Sequence, residues 1–121
     1  DEVGIDDAKV WKALKAAQLF DFVNSLKNKL NNFIGEKGAK MSAGQLQRLA
    51  IARALYDDFD LIILDESLNA LDSGNESKIL KVLKDLKNQN KTIILISHHL
   101  SNLRDCSKIL EIENKKIIEK I

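Results

Sequence analysis

One cysteine in 121 residues, Cys106, has no partner for an internal disulfide, so the chain is expected in a reducing compartment. No cluster of cysteine and histidine has metal-ligand spacing, since the two histidines are the adjacent His98 and His99. Excess charge is lacking too. Nineteen basic and 18 acidic side chains leave a net charge of +1, so no broad field points toward nucleic acid or an anionic membrane, and the charges read as solvated helix faces. Long apolar runs are absent as well: Leu61 to Leu64 and Ile93 to Ile96 fall far below the roughly 18 residues that cross a bilayer, and no signal peptide opens the sequence. A membrane role therefore has to come through a partner. The chain opens on Asp1-Glu2-Val3 without an initiator methionine and reads as a piece of something longer. What it does have is 45% hydrophobic side chains, enough for one modest core that buries ~65% of the unfolded surface, and it is expected to be soluble.

Apolar positions Val10, Leu14, Ala17 and Leu19 follow helical spacing after Asp6-Asp7, a pair able to cap a first helix. Phe22, Val23 and Leu26 suggest a second short helix after Asp21, so the front third reads as helical, with Trp11 and Phe20 as core anchors. Asn31 to Lys40, with Gly35 and Gly38, is a loop by its turn chemistry, and Ser42 sits where an N-cap precedes a helix over Gln45 to Tyr56. Leu61 to Leu64 reads as a strand covered on both faces, which implies a parallel sheet. Ser73-Gly74-Asn75-Glu76 reads as a capping box, after which Ile79, Val82, Leu83 and Leu86 carry one helical stripe to Lys87. Thr92 to Ile96 then supplies a second buried strand and completes a βαβ unit. Ser101 is placed to cap a short helix reaching Cys106, itself read as a small buried hydrophobe, and Lys108 to Glu113 with Lys116 to Ile121 form a hairpin turning at Asn114-Lys115.

Ligands of open α/β sheets lie outside the carboxyl ends of the strands, and both strands here end in polar residues. Asp65-Glu66 follows the first and Ser97-His98-His99 the second, so the two ends are expected to face one cleft. Alternation along a strand sends Asp65 and Glu66 in different directions. Such a pair suits one carboxylate holding a hydrated Mg²⁺ and another orienting a water for attack on phosphate; it equally suits capping of the next turn. Ser42-Ala43-Gly44, opening a helix, offers a hydroxyl, bare N–H groups and the positive end of the dipole to an anion, although plain capping explains it as well. His99 reads as a surface or packing residue.

Met41-Ser42-Ala43-Gly44-Gln45, then Gln47 to Leu55, then Leu61 to Glu66, together resemble the nucleotide-binding domain of ABC transporters across essentially the whole chain. Met41 to Gln45 resembles the LSGGQ signature, Leu61 to Glu66 the Walker B strand, Asn69 to Asp72 the D-loop, and Ser97-His98 the switch histidine. Ile34 to Gly38 resembles the X-loop of exporters, which favours an exporter or flippase. The resemblance implies an α/β fold: the C-terminal part of a P-loop NTPase of the ABC ATPase type, with a helical subdomain followed by a βαβ unit of a mostly parallel sheet and a terminal β-hairpin. Residues 1–56 would be the helical signature subdomain and 57–121 the C-terminal part of the RecA-like catalytic core.

By that resemblance Asp65 supports Mg²⁺, Glu66 is the general base or orients the water, and His98 contacts the γ-phosphate. Ser42, Ala43, Gly44 and Gln45 would touch ATP bound to an opposite subunit, and Asp72 would link the halves of a head-to-tail dimer. The implied partners are a second nucleotide-binding domain and a transmembrane domain, with no nucleic acid, at the cytoplasmic side of the inner membrane. Departures from the pattern are Ala43 for the first signature glycine, Leu46 at a commonly polar position, Phe59 for a proline and Lys115 for a turn glycine. The largest departure is that GxxxxGK[ST] occurs nowhere, since Lys40 stands where its second glycine belongs; the Walker A loop and Q-loop are missing. The chain alone is therefore expected to be inactive, and a chain cut through its sheet is expected to expose apolar edges that favour self-association. Two other readings remain open: the C-terminal lobe of an ABC ATPase of DNA repair or chromosome maintenance, and an interaction module without catalysis.

Overall fold

The computed structural model describes residues 4–120, so the opening Asp1 to Val3 and the last hairpin residue, Ile121, lie outside the described residues. Helix α1 (Asp7–Ala16) begins as its sequence dictates, with the Asp6 carboxylate accepting the N–H groups of Ala8 and Lys9 at 2.9 and 3.3 Å. Past its end the Gln18 N–H donates to Lys15 O at 3.1 Å, and the φ of 61° at Gln18 reverses the chain so that the Leu19 N–H reaches back to Leu14 O at 2.8 Å. Leu14 and Leu19 bury together at that reversal. Helix α2 (Phe20–Ser25) starts one residue before Asp21, which sits in its first turn rather than ahead of it. Trp11 meets Phe20 with ring centroids 5.2 Å apart, but Phe20 stays partly exposed, so only Trp11 serves as the expected anchor.

Helix α3 (Ala43–Tyr56) packs on α1, and strand β1 (Leu61–Asp65) follows. Helix α4 (Ser73–Lys87) then leads to strand β2 (Thr92–Ile96), which pairs in parallel with β1 in the register Leu61↔Thr92 through Asp65↔Ile96. One buried cluster joins these elements: Ala13, Leu14, Ala17 and Leu19; Ile51 and Ala52 of α3; Ile62 and Leu64 of β1; then Leu68, Ile79 and Leu83. Strands β3 (Ile109–Glu113) and β4 (Lys116–Lys120) form a separate antiparallel hairpin, turned by Asn114 and Lys115 at φ of 49° and 62°. Both turn residues are left-handed, as a two-residue hairpin loop requires, and a lysine there costs about 1 kcal/mol relative to glycine.

Four local expectations need correction. The β1–β2 pair is covered on one face only among the described residues: Ile62 and Leu64 are buried, whereas Leu61, Ile63, Ile94 and Ile96 are 49, 57, 45 and 45% exposed. The expected short helix capped by Ser101 is a 3-10 turn over Leu100–Leu103, capped at His99 without a side-chain bond. Cys106 beyond it is half-buried, and burial pushes its thiol pKa up despite the nearby Lys87. The cap of α4 is Asp72, not Ser73, because Asp72 Oδ1 accepts the Asn75 N–H at 2.9 Å and Oδ2 accepts Asn75 Nδ2 at 2.6 Å.

Those bonds, the Asn75 N–H first, hold the Asp72 carboxyl below the usual carboxylate range. A depressed folded-state value means that its stabilisation is fully present above the unfolded carboxylate pKa and is lost as pH falls through the lower, folded one. Asp72→Asn keeps an N-cap acceptor but cannot titrate. The expected result is near-equal stability at neutral pH and a shallower loss in acid, read from unfolding midpoints across pH 2 to 7, a window of about the carboxylate range; identical acid slopes for both proteins would contradict it.

Candidate functional site

The site is built where β1 and β2 end side by side. The parallel ladder continues one residue past Asp65, with the Glu66 N–H donating to Ile96 O at 3.0 Å. Glu66 then turns out of the strand at φ 51°, a left-handed conformation that costs a non-glycine residue about 1 kcal/mol or more. Two features hold it there: the ladder bond behind it and Leu68, 2% exposed, locked into the core ahead of it.

The turn aims the Glu66 carboxylate at the end of the neighbouring strand, where His98 Nε2 lies 2.6 Å from Glu66 Oε1. Asn69 Nδ2 donates to the other oxygen, Oε2, at 3.2 Å, and the Asn69 N–H donates to Glu66 O at 3.3 Å. Both oxygens of one carboxylate are thus fixed while the group stays open to solvent, since the Glu66 and His98 side chains are 40 and 84% exposed. The bend carrying His98 is itself fixed. Ser97 Oγ accepts the His99 N–H at 3.0 Å and Asn102 Nδ2 at 3.2 Å, and Asn102 is buried, its Oδ1 without a partner among the described residues.

Asp65 shares the uncovered face of β1 with Leu61 and Ile63, while Glu66 has left the strand, so the alternation expected of the pair does not extend to Glu66. Among the described residues the Asp65 carboxylate has no hydrogen-bond partner, and no group of three or more His, Cys, Asp or Glu could cage a metal. That donor set fits magnesium held by one carboxylate, its remaining positions taken by water and phosphate oxygens, and does not fit a metal held by protein alone. Two cavities, of about 590 and 270 Å³, lie elsewhere, and neither is lined by Asp65, Glu66 or His98; the exposure of Glu66 and His98 places them on an open rim.

The Ser42 turn is a reciprocal cap: Ser42 Oγ accepts the Gln45 N–H at 3.1 Å, and Gln45 Oε1 accepts the Ser42 N–H at 2.8 Å. Ala43 has negative φ as the first residue of α3, so the missing first glycine costs the backbone nothing. Gly44 is the position that demands glycine, because a Cβ there would come within 2.8 Å of Ala70 O. Among the described residues no hydrogen bond joins Ser42, Ala43, Gly44 or Gln45 to Asp65, Glu66 or His98; the link between the two groups runs through Gln47, whose Oε1 accepts the Ala70 N–H at 2.8 Å. Asp72, on the far side of Ala70, spends its carboxylate on the α4 cap.

Sequence reasoning passed over Gln47 and Asn102 and named Asn69 without its hold on Glu66. The signals available were thin: Gln47 stands between Leu46 and Arg48 on a helix that also carries Gln45, and the asparagines lie three and five residues from Glu66 and Ser97.

A family profile described as ABC transporter matches residues 3–69. The chain is 43% identical over 119 residues to an ATP-dependent lipid A-core flippase of Ralstonia nicotianae, covering 98% of this chain and 20% of the relative. It is 37% identical over 117 residues to an ABC transporter ATP-binding protein of Bacillus subtilis, YwjA, covering 97% of this chain and 20% of that protein. Among solved structures, a bacterial Atm1-family ABC exporter with ATP bound superimposes with a TM-score of 0.86 at 34% identity, over 96% of this chain and 20% of the exporter. The chain thus spans about a fifth of the length of these relatives.

Proposed function

The chain belongs to the ABC transporter family, and from that premise we propose that it is the C-terminal part of the ATP-hydrolysing domain of an exporter, which couples ATP hydrolysis to export or flipping across a membrane. The similarity to flippases and to an ATP-bound exporter supports this over a DNA-repair ATPase, and the organised carboxylate supports it over an interaction module. The observation that carries it is the Glu66 side chain, set by a left-handed backbone and held at both oxygens by His98 and Asn69 at the rim of the sheet.

Glu66 is read as the group that orients the attacking water and accepts its proton. In this arrangement His98 occupies Oε1 of Glu66 at 2.6 Å. A γ-phosphate in the site would compete for the same imidazole, and its success would leave Oε1 free to face water while Asn69 still holds Oε2. Asp65, its carboxylate unengaged, would hold magnesium, which when bound neutralises charge developing on the phosphate oxygens. The Ser42 turn and the first N–H groups of α3 would receive the γ-phosphate of nucleotide bound to a second, head-to-tail domain. The chain has no GxxxxGK[ST] segment, so by itself it is expected neither to hold ATP tightly nor to hydrolyse it. Its other partner is a membrane-spanning domain, which chooses the cargo and places this domain at the cytoplasmic face of the inner membrane; no helix among the described residues is long and apolar enough to cross a bilayer.

Mixing two damaged full-length proteins tests the composite site. A Glu66→Gln copy and a Ser42→Arg copy each lack every intact site as homodimers. A head-to-tail mixed dimer regains one undamaged site, so single-turnover ATP hydrolysis is expected only in the mixture. Mixtures as inactive as their parents, with mixed dimers verified by tag capture, would argue for sites made within one subunit.

A further inference from the structure

We infer that Gln47 is a positioning residue for Glu66, acting through Ala70 and Asn69; the inference rests on the reading of Glu66 as the water-orienting carboxylate. Gln47 lies one turn into α3, and its Oε1 accepts the Ala70 N–H at 2.8 Å across 23 residues of sequence. The Ala70 carbonyl in turn lies so close to Gly44 that no side chain fits between them. Ala70 is therefore seated on the first turn of α3 at both of its backbone polar groups. Asn69, the preceding residue, carries the amide that holds Glu66 Oε2. The bend between Glu66 and Asp72 is braced within itself by the Asn69 N–H to Glu66 O and the Leu71 N–H to Leu68 O, at 3.3 and 3.2 Å, and by the buried Leu68; the Gln47 bond is what ties this braced unit to α3 and so sets where the Asn69 amide stands.

The first turn of α3 is no loose support. Arg48 Nε donates to Gly44 O at 3.3 Å and Arg48 Nη1 to Gln18 O at 2.8 Å, tying the turn to the reversal at the end of α1. Neighbouring side chains of one helix thus reach opposite ways: Arg48 to α1, Gln47 to the turn that carries Glu66. A displacement of the Ser42 end of α3 is passed on to Ala70, and through Asn69 to the carboxylate.

The role requires an acceptor at Gln47 and not merely its bulk, which separates it from packing. Gln47→Met in the full-length protein keeps the shape and loses the acceptor; Gln47→Glu keeps both. The expected result for Gln47→Met is a roughly tenfold lower kcat for ATP with KM within about twofold, since a misaimed group weakens the transition state without changing how substrate binds. Gln47→Glu is expected within about threefold of the unaltered kcat. Unchanged turnover in Gln47→Met, or an equal loss in Gln47→Glu, overturns the inference. Amide exchange at Ala70 in the unaltered protein needs no variant to fold: slow exchange is expected, and exchange as fast as an open loop overturns it. Glu66→Gln separates this result from failure of the underlying reading. If Glu66→Gln remains active, the reading of Glu66 fails; if it is inactive while Gln47→Met is unaffected, only the role of Gln47 fails.

Discussion

Glu66→Gln in the full-length protein is expected to lower ATP turnover by about 10²–10⁴-fold, the span attributed to a positioned acid–base group. Glutamine is nearly isosteric and can adopt the same rotamer, so the backbone at φ 51° and the buried Leu68 have no reason to move. What changes is chemistry. An amide oxygen cannot accept the proton of an attacking water, and the amide NH₂ must face either Asn69 Nδ2 or His98 Nε2, where a carboxylate oxygen now accepts. ATP and magnesium binding are expected to persist, because their contacts are assigned to other groups, Asp65 foremost. Phosphate release at saturating ATP, paired with equilibrium nucleotide binding, checks both halves. Undiminished release would remove Glu66 from the reaction.

The second large effect concerns the anchor. Leu68→Ala is expected to destabilise the domain by about 3 kcal/mol, in the middle of the 2–5 kcal/mol found for truncating fully buried leucines. Leu68 is 2% exposed and joins the cluster that includes Leu64, Ile79 and Leu83, so the methyl groups removed leave a space that the strand and helix around it cannot easily close. Leu68→Met, which conserves volume, is expected to cost less than about 1.5 kcal/mol. Because the same residue holds the turn that bends Glu66 out of the strand, activity in Leu68→Ala is expected to fall at temperatures where the fold is still intact. Thermal unfolding and ATP turnover measured on the same samples decide this; a midpoint equal to that of the unaltered protein would show that the anchor lies elsewhere.

Much of the fold was written in local pattern. Ser42 ahead of the stripe of α3, and Asp6 ahead of α1, are caps that a reader can place because the bond they make spans only a few residues. The same locality explains the slip at α4: Asp72 and Ser73 are both good caps, and only the observed bond to Asn75 chooses between them. Leu61 to Leu64 announced a strand with two apolar faces, and both faces are apolar; an apolar run does not say what covers it, and Leu61 and Ile63 stand uncovered among the described residues. The pairing of Glu66 with His98 follows only once β1 and β2 are known to be parallel neighbours with Asp65 opposite Ile96. Gln47 left only a faint trace, since a side chain that reaches a backbone N–H 23 residues away disturbs no periodicity.

The left-handed backbone of Glu66 puts two demands on one position that no single residue meets best. Left to its own preference, that φ would select glycine, asparagine or aspartate. Yet glycine has no carboxylate, asparagine cannot take a proton from water, and aspartate is one methylene short of the reach to His98 and Asn69. If Glu66 orients the attacking water as proposed, mutational drift here is pulled toward a more relaxed main chain by folding and back toward glutamate by the reaction. Random variants selected for thermal robustness alone should therefore collect small or amide replacements at this residue, each a sounder fold and a poorer motor.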